Sequence, residues 1–222
     1  MSEPYLPAVE VEPDKAANAA VIWLHGLGAD GHDFEPVVPH LGIDEQHAVR
    51  FVFPHAPSIP VTINNGYVMP AWYDIVELDL ERRLDETQLR ASADAVARLI
   101  EREGERGIPT NKIVVAGFSQ GGAVGFELAL SYPKRLAGLI AISTYFATKS
   151  TIEVNEANAG LPILICHGLN DPVVPEHHGQ DSYRQVTEMG YAAEYKTYPV
   201  EHGVDLQEII EIGAWINRVL AN

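Results

Sequence analysis

The segment Gly117-Phe118-Ser119-Gln120-Gly121 has the spacing Gly-x-Ser-x-Gly, in which a serine can serve as a nucleophile. It follows an apolar run and precedes a segment with helical period, which is the context that such a turn requires. Glycines are needed on both sides because a side chain there would collide with the neighbouring strand and helix. The motif alone also fits a glycine-rich turn before a helix, so its position makes Ser119 a candidate nucleophile.

A serine hydroxyl is a weak nucleophile at its ordinary pKa, so it needs a base, and the base needs a group that orients it. His202 lies between the last predicted strand and the last predicted helix, and Asp171 lies just beyond the preceding buried strand. The chain order Ser, Asp, His is typical of α/β-hydrolases. Taken singly, Asp171 could start a turn with Pro172 and His202 could merely precede the last helix. Their joint placement predicts a triad of Ser119, His202 and Asp171.

Acyl transfer also needs backbone N–H groups aimed at the carbonyl oxygen on which negative charge develops. Gln120 follows the nucleophile, and its N–H is one predicted donor. The second donor is expected in His25-Gly26-Leu27-Gly28, which follows an earlier apolar run and fits the HGxG type of loop. We assign it to Leu27. The predicted mechanism is a two-step hydrolysis through an acyl-enzyme, and it requires neither a metal nor a cofactor.

The same loop supports a different interpretation, because Gly26 to Gly31 also reads Gly-x-Gly-x-x-Gly. A dinucleotide-binding Rossmann-type protein is therefore one alternative. That fold needs an acidic residue at the end of its second strand, yet this strand ends in Phe53-Pro54-His55-Ala56-Pro57. It also leaves the three candidate catalytic residues unexplained. A noncatalytic binding module on an α/β-hydrolase fold is the other alternative, and absence of a reactive serine would favour it.

Predicted strands and helices alternate along the chain. The strands are Ala19 to Leu24, Arg50 to Phe53, Ile113 to Phe118, Leu136 to Ile142, Ile163 to Cys166 and Ala193 to Tyr198. The helices are Asp85 to Arg106, Gly121 to Ser131, Pro175 to Met189 and a C-terminal segment capped by Asp205. This order predicts an α/β fold in which a mostly parallel central sheet has helices on both faces and functional residues collect at the carboxyl ends of strands.

Two long stretches interrupt the alternation, Ser58 to Ile75 and Thr144 to Gly160. Loops of this length in a compact domain commonly form lids or walls of a site. The first stretch contains Tyr67, Val68, Met69 and Trp72, and we expect these apolar side chains to wall a pocket for the acyl chain.

The composition narrows the function further. A chain of 222 residues with 46% apolar residues fits a single domain, residues 1–222. Its net charge of −16 would repel phosphate backbones and anionic headgroups, so nucleic acid and acidic membranes are poor partners. The N-terminus lacks the basic and apolar parts of a signal peptide, and no window approaches the ~20 apolar residues of a membrane span. We expect a cytoplasmic protein without membrane insertion.

Several of these segments together resemble the carboxylesterase and acyl-protein thioesterase family of small α/β-hydrolases. The match spans nearly the whole chain and includes Val21 to Gly31, Phe53 to Pro57, Met69 to Ile75, Gly117 to Ala123 and His167 to Pro175. The resemblance implies the same triad, the same oxyanion donors and an acyl pocket near Trp72, Phe146 and Val173. It also implies a small-molecule ester or an acyl-protein thioester as substrate, and family members are often homodimers.

One local departure from the family surrounds the predicted base. Relatives tend to carry a small residue before this histidine and a residue other than glycine after it, whereas this chain has Glu201 and Gly203. A carboxylate that pointed towards His202 would favour the imidazolium.

Overall fold

A computed structural model describes residues 5–77 and 84–221 of the chain. The strands are β1 (Ala8–Val11), β2 (Ala19–Leu24), β3 (Val49–Pro54), β4 (Ser58–Val61), β5 (Tyr67–Pro70), β6 (Ile113–Phe118), β7 (Gly138–Ile142), β8 (Ile163–Gly168) and β9 (Ala193–Tyr198). The α-helices are α1 (Glu86–Glu105), α2 (Gln120–Ser131), α3 (His177–Glu188) and α4 (Leu206–Leu220), and short 3-10 helices cover Glu35–His40, Thr62–Asn64, Thr110–Lys112 and Glu156–Asn158.

The central sheet has seven strands in the order β1-β3-β2-β6-β7-β8-β9. Strand β1 pairs with β3 in antiparallel fashion, and every other neighbouring pair in this sheet is parallel. The mostly parallel sheet confirms the predicted architecture. Strands β2, β6, β8 and β9 therefore end at one edge of the sheet, and the predicted triad residues and oxyanion donors follow these four strand ends.

The two faces of the sheet carry separate apolar clusters, because alternate strand residues point to opposite sides. Ile22 of β2 packs into the cluster that contains residues of α1, α2 and α3, such as Phe126. Its neighbours Val21 and Trp23 pack into the cluster that contains Trp215 of α4. Helices thus cover both faces, as the sequence predicts, and the sheet is held between them as a rigid support for the loops at its edge.

Two features of the fold were not predicted. The edge strand β1 is only half-buried, so its sequence lacks the continuous apolar run that marks the inner strands. The stretch from Ser58 to Pro70 was expected to be a loop, but β4 and β5 form a separate antiparallel hairpin there. Proline is tolerated in strands that lie at a sheet edge, and both strands of this two-stranded sheet are edges.

Glu208 is a buried carboxyl near the start of α4. It is 1% exposed, and neither side-chain oxygen has a hydrogen-bond partner among the described residues. Burial, together with the charge of Asp205, raises the pKa of Glu208 to about 8. The folded state therefore holds this proton more tightly than the unfolded chain does, and stability falls as the pH rises from the ordinary Glu value through about 8.

Glu208→Gln keeps the shape of this side chain and removes its charge. We expect the thermal midpoint of the variant to exceed that of the wild type by several degrees at about pH 9 and to match it at about pH 4, where the carboxyl is neutral in both states. Thermal unfolding at the two pH values checks this. A difference between the two proteins that does not change with pH would contradict it.

Candidate active site

Ser119 lies in a sharp turn between β6 and α2, with φ 53° and ψ −118°. Its N–H donates to the carbonyl of Ile142 on the neighbouring strand at 2.8 Å, which fixes the strained turn. A Cβ atom on Gly117 would lie 2.3 Å from the Gly121 oxygen, and one on Gly121 would lie 2.6 Å from the His25 oxygen. Glycine is therefore required at both positions, because backbone approaches the turn from both sides.

The structure brings the three predicted triad residues into one hydrogen-bonded chain. His202 Nε2 lies 3.0 Å from Ser119 Oγ, and His202 Nδ1 lies 2.6 Å from Asp171 Oδ2. An ionised carboxylate can only accept hydrogen bonds, so the proton of the neutral ring is on Nδ1 and the lone pair of Nε2 faces the serine. The ring of Phe118 packs against the imidazole with centroids 4.8 Å apart.

Asp171 is buried and receives more than one hydrogen bond. The backbone N–H groups of Val173 and Val174 both donate to Oδ1 at 2.8 Å, which leaves Oδ2 for His202. Burial raises the pKa of Asp171, but the hydrogen bonds from His202 and the two N–H groups outweigh it, so the net pKa lies below the ordinary value. The carboxylate form is therefore favoured. His167 supports this loop, since its Nε2 lies 2.8 Å from the Val174 oxygen.

The two predicted oxyanion donors both border the cavity beside Ser119. Gln120 is the first residue of α2, so its N–H has no acceptor within the helix. Among the residues that the structure describes, no acceptor takes the N–H of either Leu27 or Gln120. The Leu27 loop is held in place by the Gly28 N–H, which donates to the Pro70 carbonyl at 2.8 Å.

The cavity beside Ser119 has a volume of about 230 Å³. Val173, which the sequence analysis places near the acyl pocket, borders it. The sequence did not identify most of the other apolar walls, which include Ile63, Tyr73, Ile75, Phe118 and Tyr145. Both long interrupting stretches of the chain contribute walls, as expected for loops of that length.

Five predicted pocket residues do not border this cavity within the described part of the chain, and two of them, Tyr67 and Val68, are exposed. Trp72 is 1% exposed, and its indole N–H donates to the His25 carbonyl at 2.9 Å. Phe146 stacks on Phe126 with ring centroids 4.9 Å apart and borders a neighbouring cavity instead. The sulfur of Met69 accepts a hydrogen bond from the Asn64 amide at 3.3 Å. These residues therefore do not form the wall of the cavity beside Ser119, although the sequence predicts them there.

The two residues beside His202 that depart from the family pattern are Glu201 and Gly203. Glu201 is exposed, and among the described residues its carboxylate forms no hydrogen bond or ion pair with His202. Gly203 has an ordinary backbone conformation and open space where a Cβ atom would lie. The sequence analysis considered a Glu201 carboxylate that points towards His202, and this arrangement is not observed.

The glycine-rich loop after β2 does not have the geometry of a dinucleotide site. In such a site the loop opens an α-helix whose N-terminus binds the pyrophosphate. Here the loop from Gly26 to Gly31 leads to a short 3-10 helix at Glu35–His40. The interpretation as a dinucleotide-binding protein therefore loses its structural basis.

The described part of the chain contains no helix of the length and apolarity needed to cross a membrane.

Comparison with known sequences links the chain to one family and to named relatives. The phospholipase/carboxylesterase family profile matches residues 7–220. Acyl-protein thioesterase 1 of Neurospora crassa is 40% identical over 216 residues, which cover 91% of this chain and 87% of that protein. Acyl-protein thioesterase 1 of Cryptococcus neoformans is 36% identical over 234 residues, which cover 97% and 98%.

Solved structures agree with this likeness. SOBER1 of Arabidopsis thaliana superposes with a TM-score of 0.85 at 32% identity, covering 92% of this chain and all of that one. Acyl-protein thioesterase 2 of Zea mays superposes with a TM-score of 0.84 at 28% identity, covering 97% of this chain and all of that one. These similarities confirm the predicted α/β-hydrolase fold.

Proposed function

Because the chain belongs to the phospholipase/carboxylesterase family, we propose that Ser119 is the nucleophile of a two-step hydrolysis. With acyl-protein thioesterases among its relatives, the protein is a serine hydrolase that acts on esters or thioesters. The main support for the proposal is the pair of hydrogen bonds that links His202 to Ser119 at 3.0 Å and to Asp171 at 2.6 Å.

In the first step, His202 Nε2 takes the proton of Ser119 as Oγ attacks the carbonyl carbon of the substrate. Negative charge moves to the carbonyl oxygen, and the N–H groups of Leu27 and Gln120 stabilise it. Asp171 stabilises the imidazolium that forms. His202 then gives its proton to the leaving oxygen or sulfur, the alcohol or thiol departs, and the acyl group stays on Ser119.

In the second step, His202 takes a proton from water as the water attacks the acyl-enzyme. The tetrahedral intermediate collapses, Ser119 recovers its proton from His202, and the carboxylic acid leaves. The reaction consumes the ester or thioester and one water, and it yields the carboxylic acid and the alcohol or thiol.

The substrate class is tested by a rate panel over matched pairs of oxygen esters and thioesters with graded acyl length. We expect hydrolysis of both kinds, since deacylation of the same acyl-enzyme completes both reactions. Measurable rates with neither kind, at enzyme concentrations that a fluorophosphonate labels stoichiometrically, would contradict the proposal. A noncatalytic module would be left unlabelled.

The acyl group is proposed to occupy the 230 Å³ cavity, which is small beside the ~300 to 1,000 Å³ typical of sites for drug-sized ligands. Short to medium acyl chains suit this volume. Tyr145 borders both this cavity and a second one of about 560 Å³, and its hydroxyl lies 3.0 Å from that of Tyr73. We propose that the ring of Tyr145 separates the two spaces and limits the length of the acyl chain.

Removing this partition should change the length preference. For Tyr145→Ala we expect the ratio of kcat/KM for medium to short acyl chains to rise about tenfold, because each methylene held in an apolar environment contributes about 1 kcal/mol. Tyr145→Phe keeps the ring and is the matched control, so its ratio should stay close to that of the wild type. Equal ratios in the two variants would remove Tyr145 from the wall of the acyl site.

Three further properties rest on the sequence alone. A single domain, a cytoplasmic location and a homodimer remain predictions. Size-exclusion chromatography with light scattering would test the dimer.

A further inference from the structure

Every polar group of Trp72 makes a hydrogen bond within the chain. Its backbone N–H donates to Gln120 Oε1 at 2.8 Å, its carbonyl accepts from Ser92 Oγ, and its indole Nε1–H donates to the His25 carbonyl at 2.9 Å. The residue is 1% exposed. Trp72 therefore links Gln120, which binds its backbone N–H, to His25, which binds its indole N–H.

These two partners of Trp72, Gln120 and His25, lie on the loops that carry the proposed oxyanion donors. Gln120 supplies one donor N–H itself, and its side chain also donates from Nε2 to the Tyr73 carbonyl at 2.7 Å. His25 stands two residues before Leu27, the other donor. The two loops touch at this point, since a Cβ atom on Gly121 would lie 2.6 Å from the His25 oxygen. Trp72 therefore joins the loops from outside the cavity.

His25 passes this restraint on to the donor. Its Nε2 accepts from the Ala56 N–H at 3.1 Å, so the proton of the neutral ring is on Nδ1, which donates to the Gly26 carbonyl at 2.7 Å. Burial lowers the pKa of His25, which favours this neutral form. In a trans peptide the C=O and the following N–H point in opposite directions. Holding the Gly26 carbonyl therefore directs the Leu27 N–H.

We infer that Trp72 is a positioning residue, which acts with His25 to fix the distance and direction of the two oxyanion donors. This inference rests on the proposed function, because it assumes that Leu27 and Gln120 stabilise the oxyanion. It gives Trp72 a role in the rate of the chemical step for every substrate. A wall of the acyl pocket would instead affect some acyl lengths more than others.

The test replaces Trp72 with Phe, which keeps an aromatic ring and removes the indole N–H. We expect kcat to fall about ten- to a hundredfold with KM nearly unchanged, since small displacements of catalytic groups cost up to about 10²-fold. The ratio of rates for short and medium acyl chains should stay constant. Trp215→Phe is the matched control. Trp215 on α4 is 2% exposed, and its indole N–H donates to Glu194 on β9 at 3.2 Å, away from the oxyanion loops. Its kcat should stay within about twofold of the wild type.

The inhibition constant of a boronic acid is a second measurement, and a general loss of stability would not change it. Boronates form a tetrahedral adduct with the serine and place an oxygen where the oxyanion forms. For Trp72→Phe, the inhibition constant should rise by the same factor by which kcat/KM falls, while KM for the substrate stays constant. Thermal midpoints of all variants are measured alongside.

His25 offers a second route if Trp72→Phe does not fold. His25→Asn retains an amide N–H that can reach the Gly26 carbonyl, whereas His25→Ala removes it. The inference predicts that kcat falls about ten- to a hundredfold in His25→Ala and is largely restored in His25→Asn.

The outcomes separate the inference from the function on which it rests. If Ser119→Ala is inactive but Trp72→Phe behaves like Trp215→Phe, the inference is wrong and the proposed function stands. A Trp72→Phe variant with an altered ratio of acyl lengths and unchanged boronate binding would also overturn it. If Ser119→Ala remains active, the proposed function itself is wrong.

Discussion

Ser119→Ala is expected to lower kcat by about 10⁴- to 10⁶-fold while the protein remains folded. The hydroxyl is the only group that the substitution removes, and without it the proposed acyl-enzyme cannot form at this position. Alanine is no bulkier than serine and meets the same positive φ of 53°, so the turn should keep its shape. Steady-state rates on an activated ester, with the thermal midpoint measured in parallel, check both parts.

Ser143→Ala is the matched control for this substitution. Ser143 is also buried at the end of a parallel strand with positive φ, and its hydroxyl has no partner among the described residues. We expect its kcat to stay within a few-fold of the wild type. A fluorophosphonate should label wild-type protein at Ser119 and should not label Ser119→Ala. Labelling at another residue, or near wild-type turnover of Ser119→Ala, would show that the nucleophile lies elsewhere.

The inner strands could be predicted from sequence because their environment is uniform. Strand β2 and strand β6 are flanked by strands on both sides and covered by helices on both faces, so they read as continuous apolar runs with the predicted bounds Ala19–Leu24 and Ile113–Phe118. Strand β1 lies at the edge and the β4–β5 hairpin lies outside the sheet. Their sequences carry no such signal, since half-buried backbone tolerates proline and polar residues.

The walls of the cavity beside Ser119 could be predicted from the sequence only in part. Trp72 and Phe146 were expected near the pocket, and the walls are formed instead by their chain neighbours Tyr73 and Tyr145. Both segments were therefore identified, but a shift of one residue turns a side chain to a different side of the backbone. That direction is decided by contacts with distant residues, such as the bond from Trp72 N–H to Gln120 Oε1. Local sequence patterns contain no information on such contacts.

The candidate triad could be predicted because the topology places its members on one side of the fold. Parallel strands have their carboxyl ends at one edge, and β6, β8 and β9 all lie within one run of four adjacent strands, so the loops that follow them lie on the same edge of the sheet. Hydrogen-bond distances of 2.6 and 3.0 Å could not be inferred in this way. They depend on the loop of Asp171, which His167 and two backbone N–H groups hold in place.

Asp171→Asn is the second substitution with a large expected effect, a loss of about 10³- to 10⁴-fold in kcat without loss of the fold. The Val173 and Val174 N–H groups need an acceptor, so the amide oxygen of Asn should replace Oδ1 and its NH₂ group should face His202. An amide that donates to Nδ1 forces the ring proton onto Nε2. The histidine then cannot take the proton of Ser119.

Asp205 is the rival carboxylate in sequence, because it lies three residues beyond His202. Its Oδ1 accepts from the Glu208 N–H at 2.8 Å, which makes it the N-cap of α4, as predicted. Asn caps a helix about as well as Asp, so Asp205→Asn should leave both kcat and the thermal midpoint close to those of the wild type. The same two measurements on both variants decide between the carboxylates. An Asp205→Asn enzyme that loses activity beside an active Asp171→Asn enzyme would mean that Asp171 does not orient His202.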